Sequence, residues 1–112
     1  MTDKEQRQIF GENLNYFINL KQKSQAEIAD DLDIPHTTFN TWCVGKVIPG
    51  FKMLNTLTEY FDCRISDLID KHSENFNDEY QLRILMEKPH DASFIRRLLA
   101  YAKFLEANPE EK

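Results

Sequence analysis

From Glu5 to Lys21 the apolar residues Phe10, Leu14, Phe17 and Ile18 recur at steps of four, three and one. That spacing lays one stripe along a helix of about four turns. The next segment, Ser24-Gln25-Ala26-Glu27, has the form of a capping box. The serine hydroxyl accepts from the backbone three residues on, and the glutamate reaches back to the serine N–H. A second helix is therefore expected from Gln25 to about Leu32. Asp33-Ile34 supplies a short turn, and Pro35 suits the first turn of a third helix, where its missing N–H has no partner to lose. Phe39 and Trp42, three apart, face inward on that helix. Gly45 supplies a left-handed stop, after which Lys46-Val47-Ile48-Pro49 reads as loop. Gly50 caps a fourth helix with Leu54, Leu57 and Phe61 on one face, and Ser66 caps a short fifth carrying Leu68 and Ile69.

After Lys71 the periodicity lapses. The segment KHSENFND is polar apart from Phe76 and reads as a linker, placed at residues 72–78. Beyond it Leu82, Leu85 and Met86 form a short stripe and Pro89 interrupts. Phe94, Ile95, Leu98, Leu99, Ala102 and Leu105 then form a wide apolar face that ends near Asn108-Pro109. The expected organisation is an all-α chain with a five-helix domain at residues 1–71, the linker, and a two-helix hairpin at residues 79–112. So many apolar residues on one short helix exceed what a solitary appendage needs. Leu98, Leu99, Ala102 and Leu105 are expected to bury against their own chain or against a second copy in a homodimer.

Composition narrows the function. Hydrophobic residues make up 41% of the 112 and aromatics 12%, which fits a packed core and excludes a disordered chain. No run approaches the roughly 18 apolar residues of a membrane span, and MTDKEQRQ is polar where a signal peptide would be apolar, so a cytoplasmic protein is expected. Cys43 and Cys63 then read as reduced thiols. His36 and Cys43 lie seven apart on a helix, about 10 Å between Cα atoms, too far to share a metal unaided. Neither cysteine has a neighbouring base and orienting partner, so no enzyme activity, metal or cofactor is expected. The net charge is −5, and acids outnumber bases both in residues 1–71 and in residues 72–112. A non-specific nucleic-acid binder needs a basic stripe, so positive charge facing DNA would have to be locally arranged.

Two short helices joined by a three-residue turn, the second led by small polar residues and backed by aromatics, form the geometry that places a helix in a major groove. The run SQAEIADDLDIPHTTFNTWCVGKVIPGFKMLNTLTEYFDCRISDLI resembles the Cro/CI-type (XRE-type) helix-turn-helix transcriptional regulators. It is especially similar to the N-terminal DNA-binding domains of phage-type repressors from Gram-positive bacteria, through Trp42, Gly45 and Pro49. The resemblance covers roughly residues 6–71 and implies a lambda-repressor-like five-helix fold that binds double-stranded DNA.

It further implies that His36, Thr37, Asn40 and Thr41 meet base edges and that Ser24, Gln25, Thr38 and Lys46 hold phosphates. Ala29, Phe39, Trp42 and Leu54 form the structural core of the motif. Threonine and asparagine are short donors and acceptors suited to base edges, and N–H groups at a helix start attract phosphate. Two positions depart from the family pattern. A basic residue late in the first helix often pairs there with an acid near the end of the third, but here these are Ile18 and Cys43. Asp62 stands where a glycine usually ends the fourth helix, a place aspartate tolerates. The function expected is a sequence-specific repressor reading a palindrome. The rival is a protein-binding module, such as an antitoxin or anti-repressor partner, which the negative charge favours.

Overall fold

The computed structural model describes residues 2–109, and among them all regular structure is helical. Seven helices follow one another: α1 (Asp3–Lys21), α2 (Gln25–Asp31), α3 (His36–Cys43), α4 (Phe51–Phe61), α5 (Ile65–Ile69), α6 (Phe76–Glu87) and α7 (Ala92–Ala107). They fall into two compact units divided between Ser73 and Glu74. Residue 1 of the expected first domain and residues 110–112 of the expected hairpin lie outside the described residues.

In the first unit α1 is the central element, packing against α3 and α5, while α2 packs on α3 and α4 on α5. Phe10, Leu14, Phe17 and Ile18 are all buried, as their spacing predicts, and meet Ile28 and Ala29 of α2, Phe39 and Trp42 of α3, and Leu57 and Phe61 of α4 in one core. The Ser24 capping box is present, with the Glu27 N–H donating to Ser24 Oγ at 3.1 Å and the Ser24 N–H to Glu27 Oε1 at 2.9 Å. Gly45 takes φ 79°, the left-handed stop expected of it, and Asp62 ends α4 at φ 54°.

Several boundaries differ from those read in the sequence. The first helix starts two residues early because Thr2 and Glu5 form their own capping box. Pro35 is the N-cap of α3, one residue ahead of its first turn. The fifth helix is capped at Arg64 and not at Ser66, because the Asp67 carboxylate accepts from the Arg64 N–H at 2.8 Å and so fixes the start there. Leu54, expected in the core, is only partly buried. The polar stretch after Lys71 is shorter than a seven-residue linker, since α6 already begins at Phe76.

Asn13 sits three residues after Phe10 on the buried side of α1 and is itself 4% exposed. Its amide donates to the Leu68 carbonyl at 3.0 Å and the Asp70 carbonyl at 2.8 Å, closing the C-terminal end of α5. Leaving those carbonyls buried and unpaired would cost about 1–3 kcal/mol. α1 itself ends at Gln22, held at φ 59°. A left-handed conformation strains any residue with a Cβ, so Gln22→Gly is expected to stabilise the domain by about 1 kcal/mol. A thermal melt would register this as a rise of roughly 4–8 °C, and a fall would show that the Gln22 side chain matters more than its backbone.

In the second unit Pro89 separates α6 from α7. His90 closes the turn, its Nε2 lying 2.7 Å from the Leu85 carbonyl and its ring stacked on Phe94 at 4.1 Å. Asp91 caps α7 by accepting from the Phe94 N–H at 2.7 Å. Along α7 no residue is buried, and Ile95, Leu99, Tyr101, Phe104 and Leu105 are all exposed.

Candidate nucleic-acid interface

α3 divides cleanly into two faces. Phe39, Trp42 and Cys43 are buried, and the Phe39 and Trp42 rings meet edge to face at 5.8 Å. Trp42 is thus a core residue. His36, Thr37, Thr38 and Asn40 are exposed on the other side. Three of the four residues expected to meet bases therefore stand on the solvent face of one short helix. Thr41 is half-buried, and its hydroxyl donates to the Thr38 carbonyl at 2.6 Å. With its proton committed there, the hydroxyl keeps acceptor lone pairs and the side chain its methyl group, chemistry suited to a base amine or a thymine methyl.

The start of α3 has no side-chain cap, and its first internal bond runs from the Phe39 N–H to the Pro35 carbonyl. Helix geometry therefore leaves the N–H groups of His36, Thr37 and Thr38 without partners inside the helix, aimed along its positive end. Ser24 and Gln25 stand at the corresponding end of α2. After Gly45, Lys46 is exposed and its backbone N–H donates to the Thr41 carbonyl at 2.9 Å, which ties the loop to α3. The arrangement offers short polar side chains on the helix face, with N–H groups and a lysine at its margins.

His36 is not free at this surface. Its Nε2 lies 2.7 Å from Asp30 Oδ1, which binds the first residue of α3 to the last turn of α2. Sequence reading missed Asp30 because the pair spans the turn, and only the folded turn brings the two together. A second acid beside it, Asp31, is bound by the Lys23 ammonium at 2.7 Å and the Tyr60 hydroxyl at 2.6 Å. The Lys23 bond, then the Tyr60 bond, hold the Asp31 carboxyl below its usual range. Asp31 thus stays ionised, paired with Lys23 and joined to α4 through Tyr60. Burial pushes the Cys43 thiol up to about 11, so at neutral pH it packs as a small apolar group against the core. α1 also reaches α3, through Gly11 and Asn15, neither of which the sequence pattern singled out.

A bihelical element with a polar, solvent-facing second helix, N–H groups at its start and an aromatic inner face defines a helix-turn-helix DNA-binding protein. The sequence profile of the Cro/C1-type HTH DNA-binding domain matches residues 13–71. The chain belongs to that family and is a DNA-binding regulator whose partner is double-stranded DNA. Among solved structures it is similar to the solution structure of the SOS-response transcriptional repressor LexA from Eubacterium rectale. The two are 41% identical with a TM-score of 0.61, over 67% of this chain and 80% of that one. No curated protein matches. Among the described residues no helix is long and apolar enough to cross a membrane.

Proposed function

We propose that the protein is a homodimeric, sequence-specific repressor that reads an approximately palindromic operator with α3 in the major groove. The observation that carries this is the division of α3 into a buried aromatic face and an exposed face of His36, Thr37 and Asn40. Asn40 lies one turn beyond His36 and Thr37, so the three side chains line one outward strip. Asparagine can bond an adenine in bidentate fashion, and threonine can meet either a base edge or a thymine methyl. Ser24, Gln25, Thr38 and Lys46 hold the flanking phosphates. His36 contributes through the ring edge that Asp30 leaves open. The similar solved protein is itself an SOS-response transcriptional repressor, which supports repression as the output.

Dimerisation is assigned to the apolar face of α7 with its neighbour α6. Leu82, Met86, Ile95, Leu98, Leu99 and Ala102 line an open apolar groove of about 370 Å³ there. Two hairpins joined through that face would tether two copies of α3, which a palindrome requires about one turn of B-DNA apart, roughly 34 Å.

The test is selection of bound duplexes from a random pool at about 0.1 M salt, run beside Asn40→Ala and Thr37→Ala. The wild type is expected to enrich a palindrome. Asn40→Ala is expected to relax one position in each half-site and to cost about 1–3 kcal/mol per half-site, about 5- to 150-fold. A flat selection from the wild type at any salt would end this reading and favour the protein-binding alternative, which the net charge of −5 supports.

A further inference from the structure

A helix that reads bases must be held at a fixed angle and rotation, because a displacement of about 1 Å spoils several short contacts together. α3 spans eight residues and has no side-chain cap at its start, so little within it fixes its setting. Its last turn has a set of carbonyls that must find partners outside the regular helix. Asn40, Thr41 and Trp42 give theirs to backbone N–H groups of the following turn. The Cys43 carbonyl goes elsewhere: it accepts from the side-chain amide of Asn15 on α1 at 3.0 Å.

The same carbonyl marks the closest approach of the two helices. A Cβ at Gly11 would lie 2.9 Å from the Cys43 carbonyl oxygen, 3.0 Å from the Gly45 nitrogen and 3.2 Å from the Trp42 carbonyl oxygen. All three are backbone atoms that cannot swing aside as a side chain would. Gly11 and Asn15 are one turn apart, so they share a face of α1. At this point α1 and the end of α3 are in backbone contact, with a directional hydrogen bond beside it. The side chains of Ile18 and Cys43, where the family pattern has an ion pair, are both buried and apolar. Apolar burial is non-directional and cannot by itself set the rotation of a helix.

We propose that Gly11 and Asn15 are the positioning residues of the recognition helix: Gly11 lets α1 seat on the end of α3, and Asn15 fixes its rotation through the Cys43 carbonyl. This rests on the reading of α3 as the DNA reader. Neither residue touches DNA in this scheme, so both act on the selectivity of binding and leave its phosphate-driven part in place.

The full chain carrying Asn15→Ala, and separately Gly11→Ala, is titrated with the selected operator and with a scrambled duplex at the same salt, and each variant is melted. Leu57→Val, a buried change on α4, is the control for stability loss alone. The operator-to-scrambled affinity ratio is expected to fall about ten-fold or more in Asn15→Ala, the loss of one good base contact in each half-site, with scrambled-duplex binding unchanged. Gly11→Ala is expected to lose at least as much if it folds. Leu57→Val is expected to keep the wild-type ratio whatever its melting temperature. An unchanged ratio in Asn15→Ala, with Asn40→Ala still relaxing the motif, overturns the positioning role and leaves α3 as the reader. A fall of the same size in Leu57→Val overturns it too, since general softening would then suffice. A wild type that selects no motif overturns both.

Discussion

Leu99→Asp combined with Leu105→Asp is expected to convert the proposed dimer into a monomer and to weaken binding to a two-half-site operator by about 10²–10⁴-fold, the avidity that tethering supplies. Both leucines lie on α7 and are about half exposed, at 53% and 47%, so the change leaves the core of the monomer untouched. Leu82, Leu85, Met86, Ile95, Tyr101 and Phe104 are exposed in the same hairpin. Large apolar side chains in that number, each baring roughly half its surface, offer an area on the order of the ~800 Å² per partner that a stable interface uses.

Two carboxylates placed in such a face, and their symmetry mates, would have to be buried without partners, which outweighs the apolar contact that remains. Sedimentation of the free protein and titration of operators with one and two half-sites separate the steps. The variant should sediment as a monomer, bind a single half-site as the wild type does, and lose only the gain from the second. A double variant that still sediments as a dimer would show that the contact lies elsewhere.

How far the sequence reveals the molecule depends on the range of the interaction concerned. The helix-turn-helix is legible because its signals are local: Ser24 with Glu27, the turn at Asp33, the spacing of Phe39 and Trp42, and the stop at Gly45 all act within a few residues. The apolar stripe of α1 predicts the core for the same reason. What the pattern could not supply is set by residues brought together from a distance. Asp30 meets His36 only once the turn has folded. Gly11 is invisible to periodicity because its role is to lack a side chain opposite a backbone 32 residues on.

Asn13 left a trace, as an amide three residues after Phe10 within an otherwise apolar stripe. A polar side chain in that register needs partners, and it finds them in the carbonyls that end α5. The start of α5 was misplaced because serine is a good cap by type. The acid three residues after Arg64 decided the matter instead, by accepting from the Arg64 N–H. The interface residues on α3 rest on the family resemblance joined to an exposure pattern that periodicity already implied.

Phe39→Ala is expected to destabilise the first unit by about 3–5 kcal/mol. Phe39 is 0% exposed and its ring meets Trp42 at 70°. Truncation removes the buried area, the edge-to-face contact and the packing on the inner side of the reading helix together. A small domain has only about 5–15 kcal/mol in hand, so a loss of this size leaves it marginal. At roughly 4–8 °C per kcal/mol, the melting transition should fall by about 12–40 °C.

Phe39→Leu fills most of the space and should cost less than about 1.5 kcal/mol. The pair of variants distinguishes volume at this position from any loss of the exposed face. Phe39→Leu should still select the wild-type motif, since His36, Thr37 and Asn40 are unchanged. Phe39→Ala should bind operator only at temperatures where a melt shows it folded, and there with the same motif. A melting temperature that moves by less than about 5 °C in Phe39→Ala would mean that α3 is not seated on its aromatic face. The assignment of its opposite face to DNA would then lose its structural footing, because in a helix this short the two faces are fixed by one and the same rotation.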